Sequence, residues 1–331
     1  MNGYAEGAPD RVTNRAEAWL DGTKKHSLTW DDILALKERF DSRKNEQPTR
    51  YPQVFFTFCM DQMESYVSFL LELVLSFGQR RRIVEKGSLQ IQEFPPDAFG
   101  LLFHMLEYSD IQTLASGVFR PSGQEPTALF SRQWMSTLGV LRSRKGNDPA
   151  GEYFARLLPL ELPWGPGKKH PTPVSGTWYL GILKGSIATE VGMRIIAQAT
   201  SKADEVHKLN NYIGLPVRRA FYSGGDGGAI VPFSLPYREQ YVRLADVQSR
   251  LMDNPRDKAG FVDTIMNGDY PFYRMLIKNY HLVAPVLWRL LTRLARIALN
   301  RGVRGATDAA LLKKCFASAD AELQVLVEDT R

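Results

Sequence analysis

The stretch from Val54 to Gly78 constrains the fold most. Val54, Phe55, Phe56 and Phe58 make a short apolar run that is most simply a buried strand. Asp61 to Phe77 follows, with Tyr66, Phe69, Leu70, Leu73 and Val74 at helical spacing, and Gly78 supplies the stop. A strand running straight into an amphipathic helix is the unit of α/β architecture. The longest apolar stretch, Tyr66 to Gly78, carries Glu72 and is too short to span a bilayer.

The pattern recurs along the chain. Thr29-Trp30-Asp31-Asp32 places a cap residue and early acids before Ile33, Leu34, Leu36 and Phe40, which predicts a capped amphipathic helix. Short strands are expected at 88–92, 127–130, 157–162 and 178–183. Helices are expected after Pro95-Pro96, at 132–140, 189–199 and 202–212, and then at about 237–252, 272–280, 284–301 and 307–328, the last capped by Thr307 with Asp308. Ser223 to Gly228 reads as a loop tip, and residues 1–27 as a loose polar arm with Trp19 and Leu20 its strong apolar pair. The class is therefore α/β with a helix-rich C-terminal third.

Chemistry-bearing motifs are sparse. The histidines, His26, His104, His170, His207 and His281, show no metal-ligand spacing and none pairs with a cysteine, so neither a metal nor another cofactor is expected. Gly224-Gly225-Asp226-Gly227-Gly228 lacks the Lys-Ser/Thr ending of a phosphate loop. No Gly-x-Ser-x-Gly elbow exists, Cys59 and Cys315 read as buried thiols, and the adjacent Asp31 and Asp32 point to different helix faces. The chain is read as non-enzymatic. The formal charge of +6 is mild for 331 residues. Arg80-Arg81-Arg82, Lys168-Lys169-His170 and the Arg289, Arg293, Arg296 series are expected as solvated helix ends and loops, and no nucleic acid is expected. No apolar stretch of about 7–15 residues follows the N-terminus, so no secretory signal is read, and a soluble, cytoplasmic protein with no membrane span is expected from the chain as given. Trp134 and Trp178 both flank small or polar residues, where a ring can stay half exposed and stack on a sugar or base.

Taken in order, several segments resemble family 1 extracellular solute-binding proteins, which serve sugar ABC importers. They are Thr29 to Leu36; Glu64-Ser65-Tyr66 with Phe69 to Leu73 and Ser76-Phe77-Gly78; Leu114 to Gly117; and Thr127 to Trp134. The closest is Ser175-Gly176-Thr177-Trp178-Tyr179-Leu180-Gly181-Ile182-Leu183-Lys184-Gly185-Ser186, and Ile213 to Arg219 follows. The likeness runs from about residue 28 to the end. It implies a type 2 periplasmic-binding-protein-like fold with one near-complete lobe from 28–150 and 213–331. Residues 155–212 would be a partial second lobe, and 1–27 stand where the family carries its export signal and most of its first lobe. The resemblance implies that Trp134, Trp178 and Tyr179 meet a carbohydrate or small polar metabolite in an inter-lobe cleft, with Glu64 or Tyr66 offering polar contacts. The alternatives are a scaffold or interaction subunit, and an accessory protein of a biosynthetic pathway. The strands at 157–162 and 178–183 would lack flanking strands, and Val191, Ile195 and Ile196 would stay uncovered. Residues 155–200 are therefore expected to carry self-association or a partner subunit.

Overall fold

The computed structural model describes residues 28–46, 52–121, 128–134, 162–168, 172–175, 182, 185–210 and 272–329. They fall in two compact units: the first holds those up to Arg132, those of 161–174 and those from 266 on, and the second those of 133–160 and 175–265. The lobe boundaries expected near 150–155 and 212–213 lie outside the described residues, as do the arm, the loop tip at 223–228, the helix at 237–252 and nearly all of the strands at 157–162 and 178–183.

The first unit opens with α1 (Trp30–Glu46). Its cap is reciprocal, as the Thr-Trp-Asp-Asp order predicts. The Asp32 carboxylate accepts from the Thr29 backbone N–H and hydroxyl, each at 2.8 Å, and the Asp32 N–H donates back to Thr29 Oγ1 at 3.2 Å. β1 (Val54–Phe58) is buried throughout and runs into α2 (Met63–Phe77), of which every residue from Ser65 to Ser76 is buried. The short α3 (Arg80–Ile83) leads to a two-residue hairpin pair, β2 (Val84–Glu85) with β3 (Ser88–Leu89), and a 3₁₀ turn at Ile91–Glu93 replaces the rest of the strand expected to Gln92. α4 (Pro96–Met105) and α5 (Tyr108–Ser116) follow, the latter closed by Gly117.

β4 (Ala128–Arg132) pairs with β1 in parallel, Val54 opposite Ala128 and Phe58 opposite Arg132. The helices between the two strands make the crossover that a parallel pair requires. Arg132, expected to start a helix, is instead the last rung of this ladder. Its guanidinium bonds Glu72 of α2 at two points, 3.0 and 2.8 Å, and the same carboxylate accepts the Val174 N–H at 3.4 Å. β5 (Val174–Ser175) pairs with β6 (Phe272–Tyr273).

The segment at 272–280, expected as a helix, forms β6, a 3₁₀ turn at Arg274–Leu276 and a left-handed Asn279. Its backbone bonds outward, the Lys278 N–H reaching Gly87 O at 2.7 Å, which competes with a continuous helix. Gly87 permits that approach: it has φ +85°, and a Cβ there would meet Lys278 Cγ at 3.1 Å. α8 (Tyr280–Ala306) and α9 (Ala309–Glu328) then close the unit. α8 packs on α2, α4 and α5, and α9 on α8 and the 3₁₀ turn at Ile91–Glu93. Asp308 is the cap of α9, its carboxylate accepting from Leu311 N–H at 2.9 Å.

Two of the basic clusters are absorbed into this packing rather than fully solvated. Arg80 is buried, and Lys168 donates to Gly78 O at 2.8 Å, a cation on the C-terminal end of α2. The loop that delivers Lys168 lies against α2 because Gly165 has no side chain; a Cβ would stand 1.9 Å from Ser76 O.

The described part of the second unit is mainly α6 (Thr189–Ala199) and α7 (Lys202–Asn210). The Thr200-Ser201 link is pinned by polar bonds: Asp204 N–H to Ser201 Oγ at 3.2 Å, and Lys208 Nζ to Ala199 O at 2.7 Å.

The Glu72–Arg132 pair is nearly sealed, with side-chain exposures of 5% and 9%. Arg132→Leu leaves a buried carboxylate uncompensated and should cost about 3–5 kcal/mol in urea unfolding. Glu72→Leu combined with Arg132→Leu should recover most of that loss; a double variant no better than the single would contradict this account.

Candidate functional site

In open α/β sheets ligands take the carboxyl ends of the strands. In the first unit these ends are Phe58 and Arg132, and the Cys59 N–H extends the ladder by donating to Arg132 O at 3.0 Å. The turn after β1 delivers Cys59, Met60 and Asp61 to this edge, and the first turn of α2 adds Ser65 and Tyr66. From the other side, the Arg120 N–H donates to Met60 O at 2.8 Å, and the Arg120 guanidinium pairs with Asp110 of α5 and reaches Thr113 Oγ1 at 3.4 Å.

These groups serve mainly one another. Ser65 Oγ donates to Asp61 Oδ1 at 2.8 Å, and Asp110 is fully buried, its carboxyl pushed up by burial against the pull of Arg120. Burial, with the Asp61 carboxylate beside it, pushes the Cys59 thiol up to about 11. That is opposite to the depressed value a nucleophilic cysteine needs. Cys315 is also buried and pushed up. No three metal-ligating side chains converge among the described residues.

Of the expected ligand residues, Glu64, Tyr66 and Trp134 are described. Glu64 and Tyr66 are two positions apart on α2, so they face different ways. Tyr66 enters the core: it is 1% exposed, edge-on to Phe58 at 5.2 Å and to Trp288 at 4.6 Å. Its hydroxyl is buried with no hydrogen-bond partner among the described residues, and burial raises its pKa. A ligand contact at Tyr66 would require this core to open. Glu64 is engaged in a different cluster, accepting from the Tyr280 hydroxyl at 2.8 Å and pairing with Arg274, which itself reaches Ser68 Oγ at 3.3 Å and lies over the Tyr280 ring. Burial pushes Tyr280 up to about 12. This cluster ties the start of α8 to α2. Trp134 is half-buried and belongs to the second unit; Trp178 and Tyr179 lie outside the described residues.

Sequence reasoning missed Asp110, Arg120 and Trp288. Asp110 and Arg120 are ten positions apart, and no local pattern joins them. Trp288 falls on the helical stripe of α8, where it reads as one more core residue, yet it carries the Phe119 ring at 5.3 Å.

The second unit presents a different kind of surface. α6 has no buried residue. Val191, Met193 and Ile195 are 58%, 58% and 60% exposed, and Ile187, in the turn leading in, is fully exposed. Ile196 is half-buried, and Ile182 sits over Gly192, where a Cβ would stand 3.0 Å from Ile182 Cδ1. α6 thus packs along one side and shows apolar side chains on another.

No family model, no curated protein and no solved structure matches the chain. Among the described residues no helix is long and apolar enough to cross a membrane.

With the Cys59 value near 11, only about one thiol in a thousand is ionised at pH 8. Cys59 and Cys315 should therefore resist maleimide in the native chain at pH 8 and react on unfolding. Because the folded Cys59 value stands above the ordinary 9.0, stability linked to its neutral form is full below pH 9 and falls as pH rises towards 11. Rapid native labelling of Cys59 at pH 8 would contradict the buried thiol. Tyr66→Phe keeps the ring packing and removes a hydroxyl that no described residue bonds. Its stability should lie within about 1 kcal/mol of the parent in chemical unfolding.

Proposed function

We propose that this chain is a non-catalytic interaction module that docks another polypeptide on α6. The observation that carries this reading is the exposure of Val191 and Ile195 on a helix with no buried residue. An amphipathic helix normally turns its apolar stripe inward, and a contiguous apolar patch left outward on a soluble protein marks an interaction site. The rival reading, a sugar-like solute held in a cleft, draws on Trp134, Trp178 and Tyr179 with Glu64 and Tyr66; of these, Glu64 is paired with Arg274 and Tyr66 is buried in the core.

The parallel β1–β4 pair with its helical crossover is the strand–helix–strand unit from which a type 2 periplasmic-binding lobe is built. It supports descent from a solute-binding lobe turned to protein contact, and it is equally at home in other α/β folds.

The test uses Val191→Cys with a permeant maleimide, since both native thiols are buried. The purified, dilute chain should label rapidly at the new thiol. In the cells that make the protein, labelling should be slower by about tenfold or more, the protection that about 1.4 kcal/mol of docking supplies. Equal rates in the two settings would overturn the interaction reading.

A further inference from the structure

We propose that the occupant of α6 is a second copy of this chain, with the two α6 helices antiparallel about a two-fold axis near position 192. This rests on the interaction reading and adds the partner's identity. At 100° per residue, Val191 and Ile195 lie about 40° apart on the helix, and Ile187 continues the same side in the turn before it.

Charge on the flanks selects the partner. Glu190 and Arg194 lie together on one side of the stripe, both largely exposed, with Arg194 Nη2 2.8 Å from Glu190 Oε1. In an antiparallel two-fold pair each flank meets its own copy, running the other way. Glu190 of one chain then faces Arg194 of its partner, and the reverse contact forms as well. A parallel pair sets this flank against the opposite one and forms neither bond. An anionic membrane surface is a poorer fit: interfacial helices carry a polar face rich in Lys and Arg, and α6 carries one arginine balanced by one glutamate.

α6 has 11 residues and is about 16 Å long, so one helix pair falls short of the roughly 800 Å² per partner of a standard interface. The dimer should therefore be weak, with a dissociation constant in the micromolar range or above.

Sedimentation of the purified full chain across a concentration series reads the association directly. The parent should pass from monomer to dimer. Val191→Lys should remain monomeric throughout, and because Val191 is exposed the variant should fold normally, which circular dichroism checks. Glu190→Arg sets like charges together twice by symmetry and should weaken the dimer by about tenfold; Glu190→Arg with Arg194→Glu should restore it. A chain monomeric at every concentration while Val191→Cys stays protected in cells would overturn the second copy and leave the interaction reading standing. A dimer indifferent to Val191→Lys would place association elsewhere and overturn the proposal. Failure of the double swap to rescue Glu190→Arg would overturn the antiparallel pairing. Loss of both the dimer and the in-cell protection would remove both readings.

Discussion

The ion pair between Glu72 and Arg132 is the contact on which the first unit depends. α2 is buried on every side from Ser65 to Ser76, and Glu72 is the one charged residue in that stretch. A carboxylate there is tolerable only because Arg132 meets it at two points and the Val174 N–H supplies a third bond. Such a pair adds little net stability over apolar side chains of the same volume. What it adds here is alignment. Its three participants are 60 and 102 positions apart in sequence, counted from Glu72, and the pair brings β4 and the 172–174 segment to one point on α2. Slipping β4 by one residue would turn Arg132 to the other face of the sheet and strand Glu72, so the pair also fixes the β1–β4 register.

The same logic accounts for most other charges that reach the interior. Asp110 meets Arg120 where α5 is tied to the end of β1; Glu64 meets Arg274 and Tyr280 where α8 is tied to α2; Lys168 meets Gly78 O at the end of α2. Each is a closure between elements made by a polar group whose burial would otherwise be costly. The described polar side chains at the carboxyl edge of β1 follow the same logic. Their carboxylates and hydroxyls are largely occupied in holding elements together, and burial moves the Cys59 thiol away from the value a nucleophile needs.

Where local chemistry decides, the fold was legible. Thr29 and Asp32 announced a cap that the structure closes in both directions, the Val54–Phe58 run is a buried strand, and Gly78 ends α2. Asp308 caps α9 because its carboxylate can reach a backbone donor three residues on. What failed depended on distant partners. Arg132 looked like a helix start because nothing nearby reveals Glu72. Residues 272–280 looked helical because nothing in that segment reveals the turn at Gly87. Tyr66 carried two readings: its periodicity turned it inward, and the family resemblance turned it to a ligand. Its burial against Phe58 and Trp288 agrees with the periodicity. Of the site residues named from sequence, Trp178 and Tyr179 lie outside the described residues, and no pattern within α2 could reveal that Glu64 answers to Arg274.

α6 shows how a short polar link can leave an apolar face outward. The Thr200-Ser201 connection joins α6 to α7 with almost no slack. Lys208 on Ala199 O and Ser201 on the Asp204 N–H fix the angle at which the two helices leave it. α7 brings the Lys208 ammonium to the end of its partner helix. A rotation of α6 that buried Val191 and Ile195 under α7 would have to break these clamps and expose the side that packs on Ile182. Fully burying a Val or Ile side chain is worth about 1.5–3 kcal/mol, and each of these two is more than half exposed. The gain open to a docking partner is therefore a few kcal/mol before the cost of association is met. A face of that strength would not hold a permanent complex by itself; docking on it would be sensitive to concentration and to the charges that flank the stripe.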